Sequence, residues 1–223
     1  MTGVSSLQSF HKKGLFGDHY KKNESSLLKI SEIKGLSIVQ IAQYKRSKIQ
    51  LKEIQIDGVK FPLSSPNVEY NEKTRILWSG PMAWLIVSSK KSIDQAIQEK
   101  CSSENFAVTD ISHSRAVIQI KGFKAGEILK KGCPIDFNNF KRNNCSGTIF
   151  QGINIVIDKI EDEPETFNLF ALRSFGESFY HGITDAALEY GYVGIFQGGG
   201  ELDLREQSLE QIVEIDFDGY YRF

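Results

Sequence analysis

From residue 75 onward, short apolar stretches of strand character alternate with single helix-like segments. No other feature of the sequence constrains the fold as much. "TRILWSGPMAWLIVSS" reads as two strands joined at Gly80–Pro81. Ser92, with Gln95 three residues on, has the spacing of a capping box for a helix running to about Cys101. "FAVTDI" and "RAVIQIKG" follow as strands. In the second, Ala116, Ile118 and Ile120 fall on one face and Val117, Gln119 and Lys121 on the other. That alternation predicts a sheet with one buried and one partly wet face. "KAGEILKKG" reads as a short helix, with Lys130 and Lys131 in its last turn and Gly132 as its C-cap.

Three further strand signals, "GTIFQ", "INIVIDKI" and "TFNLFALRS", precede the clearest helix. Ser174 and Glu177 have the spacing of a second capping box, and Gly191 stops the segment. Phe175, Phe179, Ile183, Ala186 and Tyr190 make a core stripe at helical spacing. Hairpins interleaved with single helices predict α+β structure with mainly antiparallel pairing, not a doubly wound parallel sheet. Two ferredoxin-like halves accommodate this order.

Residues 27–191 therefore form the expected domain. Before them, 1–26 are rich in Ser, Lys and Gly and read as a flexible arm. Apolar stretches between Leu27 and Ile56, such as "LSIVQIAQY", read as strands, and "DGVKFPLSSPN" as a turn region. Beyond the domain, 192–223 read as an extension that docks onto a surface, either this chain's own sheet or, the favoured reading, a partner. It carries Leu209, Ile212 and Val213 at near-helical spacing and the aromatic ending "DFDGYYRF", with Gly198–Gly200 as a hinge.

The 27 basic and 28 acidic residues nearly cancel, so no long-range basic field draws nucleic acid or acidic lipid. No apolar run approaches the ~20 residues of a membrane span, and the N-terminus lacks a signal-peptide core. A cytoplasmic location is expected. Cys101, Cys133 and Cys145 are irregularly spaced and read as reduced, partly buried thiols.

Few residues invite chemistry. "QGGGELD" lacks the strand–loop–helix context and the Lys-Ser/Thr of a phosphate loop, and reads as a hinge. The four histidines form neither HxH nor HExxH, and no G-x-S-x-G elbow occurs. What remains is "TDISHSRAVIQIKG". Asp110 and Ser112 suit a bend in which side chains bond backbone N–H groups, and Arg115 suits anchoring a nearby carboxylate or carbonyl. Asp110, Ser112, His113 and Arg115, with Arg173 of "LRSFGESFY", are candidates for structure or subunit contact, not for catalysis.

Four stretches in order carry a family resemblance: "RILWSGPMAWLIV", "FAVTDISHSRAVIQIKGFKAGEILKKGCPIDF", "CSGTIFQGINIVIDKI" and "LRSFGESFYHGITDAALEYG". Together they resemble the gamma subunits of heterotetrameric sarcosine oxidase. The third component of N-methylglutamate dehydrogenase is similar. The resemblance implies the fold of the folate-binding domain of the glycine-cleavage T-protein. It also implies a complex that oxidatively demethylates sarcosine to glycine and passes the one-carbon unit to tetrahydrofolate. Alpha and beta partners are expected to carry FAD, FMN, NAD and the tetrahydrofolate site, and a delta partner zinc. The gamma chain itself is expected to hold no cofactor, no metal and no catalytic residue.

"DISHSRAVIQIKG" is similar to the T-protein block that reads D-S-H before a strand. T-proteins place an acidic residue at the folate after a Gly-rich turn, G-G-x-x-D-D. Here that stretch is "FQGINIVIDKI": the turn is shortened, the Asp–Asp pair is missing, and Asp158 falls inside a strand pattern. The resemblance therefore implies a folate-enzyme scaffold without its carboxylate. The rival readings are a subunit of a related amine dehydrogenase and a stand-alone folate-dependent one-carbon transfer protein.

Overall fold

Strands dominate the chain, and all but one small two-stranded pair fall into two sheets. In the computed structural model, which describes residues 26–195, 13–20 and 22–23 with Ser5, Leu7 and Phe10, the elements run as follows. β1 is Gly14–Phe16, β2 Leu28–Glu32, β3 Ser37–Gln43, β4 Gln55–Ile56, β5 Val59–Lys60, β6 Val68–Tyr70, β7 Thr74–Gly80 and β8 Ala83–Ser88. Then come α1 Ile93–Lys100, β9 Phe106–Asp110, β10 Arg115–Lys121, α2 Ala125–Lys130, β11 Cys145–Phe150, β12 Ile153–Asp162, β13 Glu165–Leu172, α3 Gly176–Ala187 and β14 Tyr192–Ile195.

One sheet has five strands in the order β6-β7-β8-β3-β9, the other seven in the order β1-β14-β2-β10-β13-β12-β11. Every ladder is antiparallel except β14 with β2. The structure is thus α+β and mainly antiparallel. Each sheet contains the 4-1-3-2 order of a split βαβ fold. In the first half, β3, β7, β8 and β9 are strands one to four, and α1 is the second crossover. Residues 44–67, with the small β4–β5 hairpin, replace the first crossover helix. In the second half, β10, β12, β13 and β14 take the same places, with α2 and α3 as crossovers and β2 inserted between the first and fourth strands.

Alternation along the strands sorts side chains into three apolar layers. Ile41, Ile76 and Ile86 of the five-stranded sheet pack under α1 and the β4–β5 hairpin. Ile118, Ile157 and Leu169 of the seven-stranded sheet pack under α2 and α3. Between the sheets, Ile38, Leu77, Leu85 and Val87 meet Val117 and Phe170. This face-to-face packing covers Val117, only 4% exposed, while Gln119 is part-exposed and Lys121 exposed, so the second face of β10 is partly wet as expected.

Both expected domain boundaries are corrected. β1 pairs with β14, and β14 with β2, so parts of 1–26 and 192–223 belong to the main sheet. Leu7 is fully buried in its core. Gly191 turns the chain into β14 at φ +71, where a Cβ would stand 2.5 Å from the Asp18 carbonyl oxygen. Apolar stretches read together between 27 and 56 part company: β2 joins one sheet and β3 the other. The Gly-rich hinge, the Leu209–Val213 segment and the aromatic ending lie outside the described residues.

Neither capping box forms. Ser92 sits at φ −92°, ψ 10°, outside the extended region that aims an N-cap oxygen at the helix, and bonds no helix N–H. Ser174 lies in a 3-10 turn, Arg173–Phe175, and α3 starts after it at Gly176. The core stripe holds except at its start. Phe179, Ile183 and Ala186 are buried as expected, joined by Tyr180 and Ala187, and Tyr190, past the helix end, still packs against the core, whereas Phe175 is 49% exposed. Lys131, not Gly132, is the C-cap of α2. Gly132 is required for packing instead, since a Cβ there would stand 2.7 Å from the Phe150 ring.

Candidate functional site

The bend read from the sequence is the joint between the two halves. β9 ends at Asp110, Ser112–Ser114 form one 3-10 turn, and β10 starts at Arg115. Asp110 Oδ1 accepts from the Ser112 N–H at 2.8 Å and from the Ser112 hydroxyl at 2.5 Å. The Ser112 Oγ accepts the Ile38 N–H at 2.8 Å, tying the joint to β3. Ser114 Oγ donates to the Ile111 carbonyl at 2.9 Å. The Ser112 hydroxyl, then its N–H, and more weakly nearby His113, hold the Asp110 carboxyl below the usual carboxylate range. Its carboxylate oxygen and the serine hydroxyls are engaged in bonds that shape the chain.

His113 is exposed on this turn, and Arg115 and Arg173 are half-buried. The turns Ser112–Ser114 and Arg173–Phe175 touch each other, because Arg115 starts β10 directly opposite Leu172, which ends β13. The structure therefore gathers all five candidates at one end of the β10–β13 ladder. Two of them, Asp110 and Ser112, bond each other.

The second stretch of interest is the β11–β12 hairpin. Its turn is two residues long, Gln151–Gly152, with φ of 47° and 86°. That is the tightest connection an antiparallel pair permits, so no loop is left to project a side chain toward a ligand. The turn packs down: the Gln151 N–H donates to the Gly132 carbonyl at 3.1 Å, and Gly182 of α3 lets the Gln151 side chain lie close.

Asp158, the carboxylate downstream of this turn, is fully buried between the sheets. Arg75 of β7 grips it with two bonds of 2.7 Å, Nε to Oδ2 and Nη2 to Oδ1. Arg75 Nη2 also reaches Asn143 Oδ1 at 3.2 Å, and the guanidinium stands 5.0 Å from the centroid of the Tyr70 ring. Burial raises the Asp158 carboxyl, and the arginine pulls it back toward ionisation. Both oxygens are committed, so this carboxylate is a clamp between layers. These residues do not fit a folate-handling role: the turn is closed and the acid is occupied. Sequence reasoning left Arg75 aside. Its signal was a charge at the inward parity of β7, two positions from Leu77.

A second polar clamp lies on the helix side. Lys159 is 5% exposed and reaches the Phe140 carbonyl at 3.0 Å, Asp162 at 3.0 Å and Glu165 at 3.4 Å. Glu165 also accepts the Gly126 N–H in the first turn of α2 at 2.9 Å. All three cysteines are buried, and burial pushes their thiols up to about 11 for Cys101 and about 12 for Cys133 and Cys145. Two open grooves, of about 420 and 300 Å³, lie elsewhere, along Lys60–Leu63 and Asn71–Lys73. Among the described residues, no group of three or more His, Cys, Asp or Glu could hold a metal, and no helix is long and apolar enough to cross a membrane.

The fold is similar to a chain of the heterotetrameric sarcosine oxidase from Corynebacterium sp. U-96, solved in complex with pyrrole 2-carboxylate. The TM-score is 0.67 at 22% identity, covering 75% of this chain and 87% of that one. It is also similar to the glycine cleavage system aminomethyltransferase T from Bartonella henselae, with a TM-score of 0.54 at 9% identity over 72% of this chain and 46% of that one. In sequence, the chain is 27% identical over 120 residues to sarcosine oxidase subunit gamma of Corynebacterium sp. (strain U-96), covering 52% of this chain and 58% of that protein. It is 25% identical over 122 residues to the same subunit of Arthrobacter sp., covering 53% and 59%. The matches thus span under two-thirds of those relatives' length. The model of the sarcosine oxidase gamma subunit family matches residues 52–189, more than half of the 223. With a joint built for shape and a carboxylate locked in a clamp, the chain belongs to the sarcosine oxidase gamma subunit family.

Proposed function

We propose that this chain is a non-catalytic structural subunit of a heterotetrameric sarcosine oxidase-like complex in the cytoplasm. The complex oxidatively demethylates sarcosine to glycine and passes the one-carbon unit to tetrahydrofolate. FAD, FMN, NAD, the folate site and zinc belong to its alpha, beta and delta partners. The observation that carries this reading is the bidentate Arg75–Asp158 pair. In a scaffold like that of a folate enzyme, the first acid downstream of the closed β11–β12 turn is spent on holding two sheets together. Family membership supports the assignment to an oxidase complex. Asp110, Ser112, His113, Arg115 and Arg173 then serve the joint and its contacts with other subunits.

The test has two parts. The purified full chain is expected to show no flavin absorbance and no micromolar affinity for tetrahydrofolate in titration calorimetry. Mixed with the alpha, beta and delta subunits, it is expected to co-elute in one assembly. A stoichiometric flavin spectrum, or micromolar folate binding by the chain alone, overturns the structural reading.

A further inference from the structure

The five-stranded sheet does not cover the whole inner face of the seven-stranded one. On that face, side chains line up in rows across β10, β13, β12 and β11. Val117 faces Phe170, and Phe170 faces Val156. Val117 and Phe170 are 4% and 1% exposed, so this row lies inside the layer. The next row begins with Arg115 opposite Leu172 and ends with Asn154 opposite Ile149. Asn154 precedes Ile155, which pairs with Ala171, so the row is continuous. By parity it belongs to the inner face, yet Leu172 is 37% and Ile149 42% exposed.

The sheet therefore overhangs its neighbour as a shelf. Gly147, in the covered row's line on β11, has nothing within 4 Å of an added Cβ, so the floor is open there as well.

Arg115 gives the shelf its charge. Among the described residues its guanidinium has neither a hydrogen-bond nor an ion-pair partner. It is half-buried, and desolvation pulls its pKa down while leaving it a cation. A partly desolvated arginine beside exposed Leu172, with Asn154 and then Ile149 further along the row, fits a partner's carboxylate flanked by apolar groups. A second copy docking through the same row supplies no carboxylate from it.

We propose that the shelf receives a segment of a partner subunit, placing a carboxylate on Arg115 and apolar side chains on Leu172 and Ile149. This rests on the oxidase-complex reading and names the surface and chemistry of one of its contacts.

The experiment uses the full chain and the co-expressed alpha, beta and delta subunits. Affinity is measured for wild type, Arg115→Glu, Leu172→Asp and the control Leu63→Asp, which sits on the groove of the first half. A photo-cross-linking residue at position 172 identifies what lies there. Arg115→Glu is expected to weaken assembly roughly thirty-fold or more. Leu63→Asp is expected to assemble as wild type does, and cross-links at 172 to land on a partner segment containing Asp or Glu. Unchanged assembly of both shelf variants, or cross-links to this chain's own residues, overturns the shelf and leaves the complex standing. Failure of wild type to assemble overturns both. Unchanged melting temperatures of the isolated variants separate a lost contact from a lost fold.

Discussion

Two arginines enter the layer between the sheets, and they meet opposite fates. Arg75 comes from β7 and closes two short bonds on Asp158, a carboxylate with no exposed surface. Arg115 starts β10 on the inner face of the opposite sheet and finds no side chain to bond among the described residues. The difference is one of position. Arg75 lies where both sheets overlap, so its charge must be neutralised within the chain. Arg115 lies one row beyond the overlap, where water solvates it until something else arrives. The same residue type, in the same layer, is internal architecture in one place and a prepared surface in the other.

The largest effect is expected from breaking the first pair. Asp158→Ala leaves a buried guanidinium without its anion and is expected to destabilise the chain by about 3–5 kcal/mol. For a domain this size that lowers the melting temperature by about ten degrees, read by thermal denaturation. Asp158→Asn, which keeps the shape and one acceptor, falls less. Replacing both partners, Arg75→Leu with Asp158→Leu, is expected to recover most of the loss, because well-packed apolar groups can match a buried ion pair. A double variant as unstable as Asp158→Ala contradicts that reading.

Cys145 reports on the same layer. Its Sγ donates to the Trp78 carbonyl at 3.3 Å, and its thiol is pushed up to about 12. Labelling by a thiol reagent at neutral pH is expected to be slow in wild type and clearly faster in Asp158→Ala, as the sheets part more often. Equal rates in both chains count against the clamp.

The joint beside Arg115 is expected to respond to acid. The Asp110 carboxyl is held low chiefly by the Ser112 hydroxyl. Its folded pKa lies below the unfolded value, so its stabilisation is complete above about pH 4 and is lost as pH falls through the folded value. Asp110→Asn is therefore expected to melt slightly below wild type at pH 7, with the gap closing below about pH 4. A gap that widens with acid contradicts the bonding described for the turn.

The sequence made some of this legible and hid the rest for physical reasons. Period-two alternation marked β7 through β13, since each strand has at least one face against a core. Element order sufficed for the α+β class, and the later half of the chain showed its helices in place. The two capping boxes did not form because spacing alone does not set the φ and ψ that aim a serine oxygen. β1 and β14 escaped notice because three- and four-residue strands carry little pattern, and their parallel and antiparallel partners lie far off in sequence. The Asp110–Ser112 bend is local, so residue types two apart were informative. The Arg75–Asp158 pair spans 83 residues and two sheets, a relation no local motif encodes. For the same reason the openness of the Arg115 row emerges only once both sheets are stacked.

The smallest expected effect is also the most decisive one. The melting temperature of the isolated chain carrying Arg115→Ala, measured beside Asp158→Ala, separates the two arginines directly. Truncating Arg115 leaves no internal acceptor unpaired, so the expected change is within about 0.5 kcal/mol, or a degree or two. A fall comparable with that of Asp158→Ala shows instead that Arg115 belongs to the chain's own core, and the distinction between a closing arginine and a docking arginine fails.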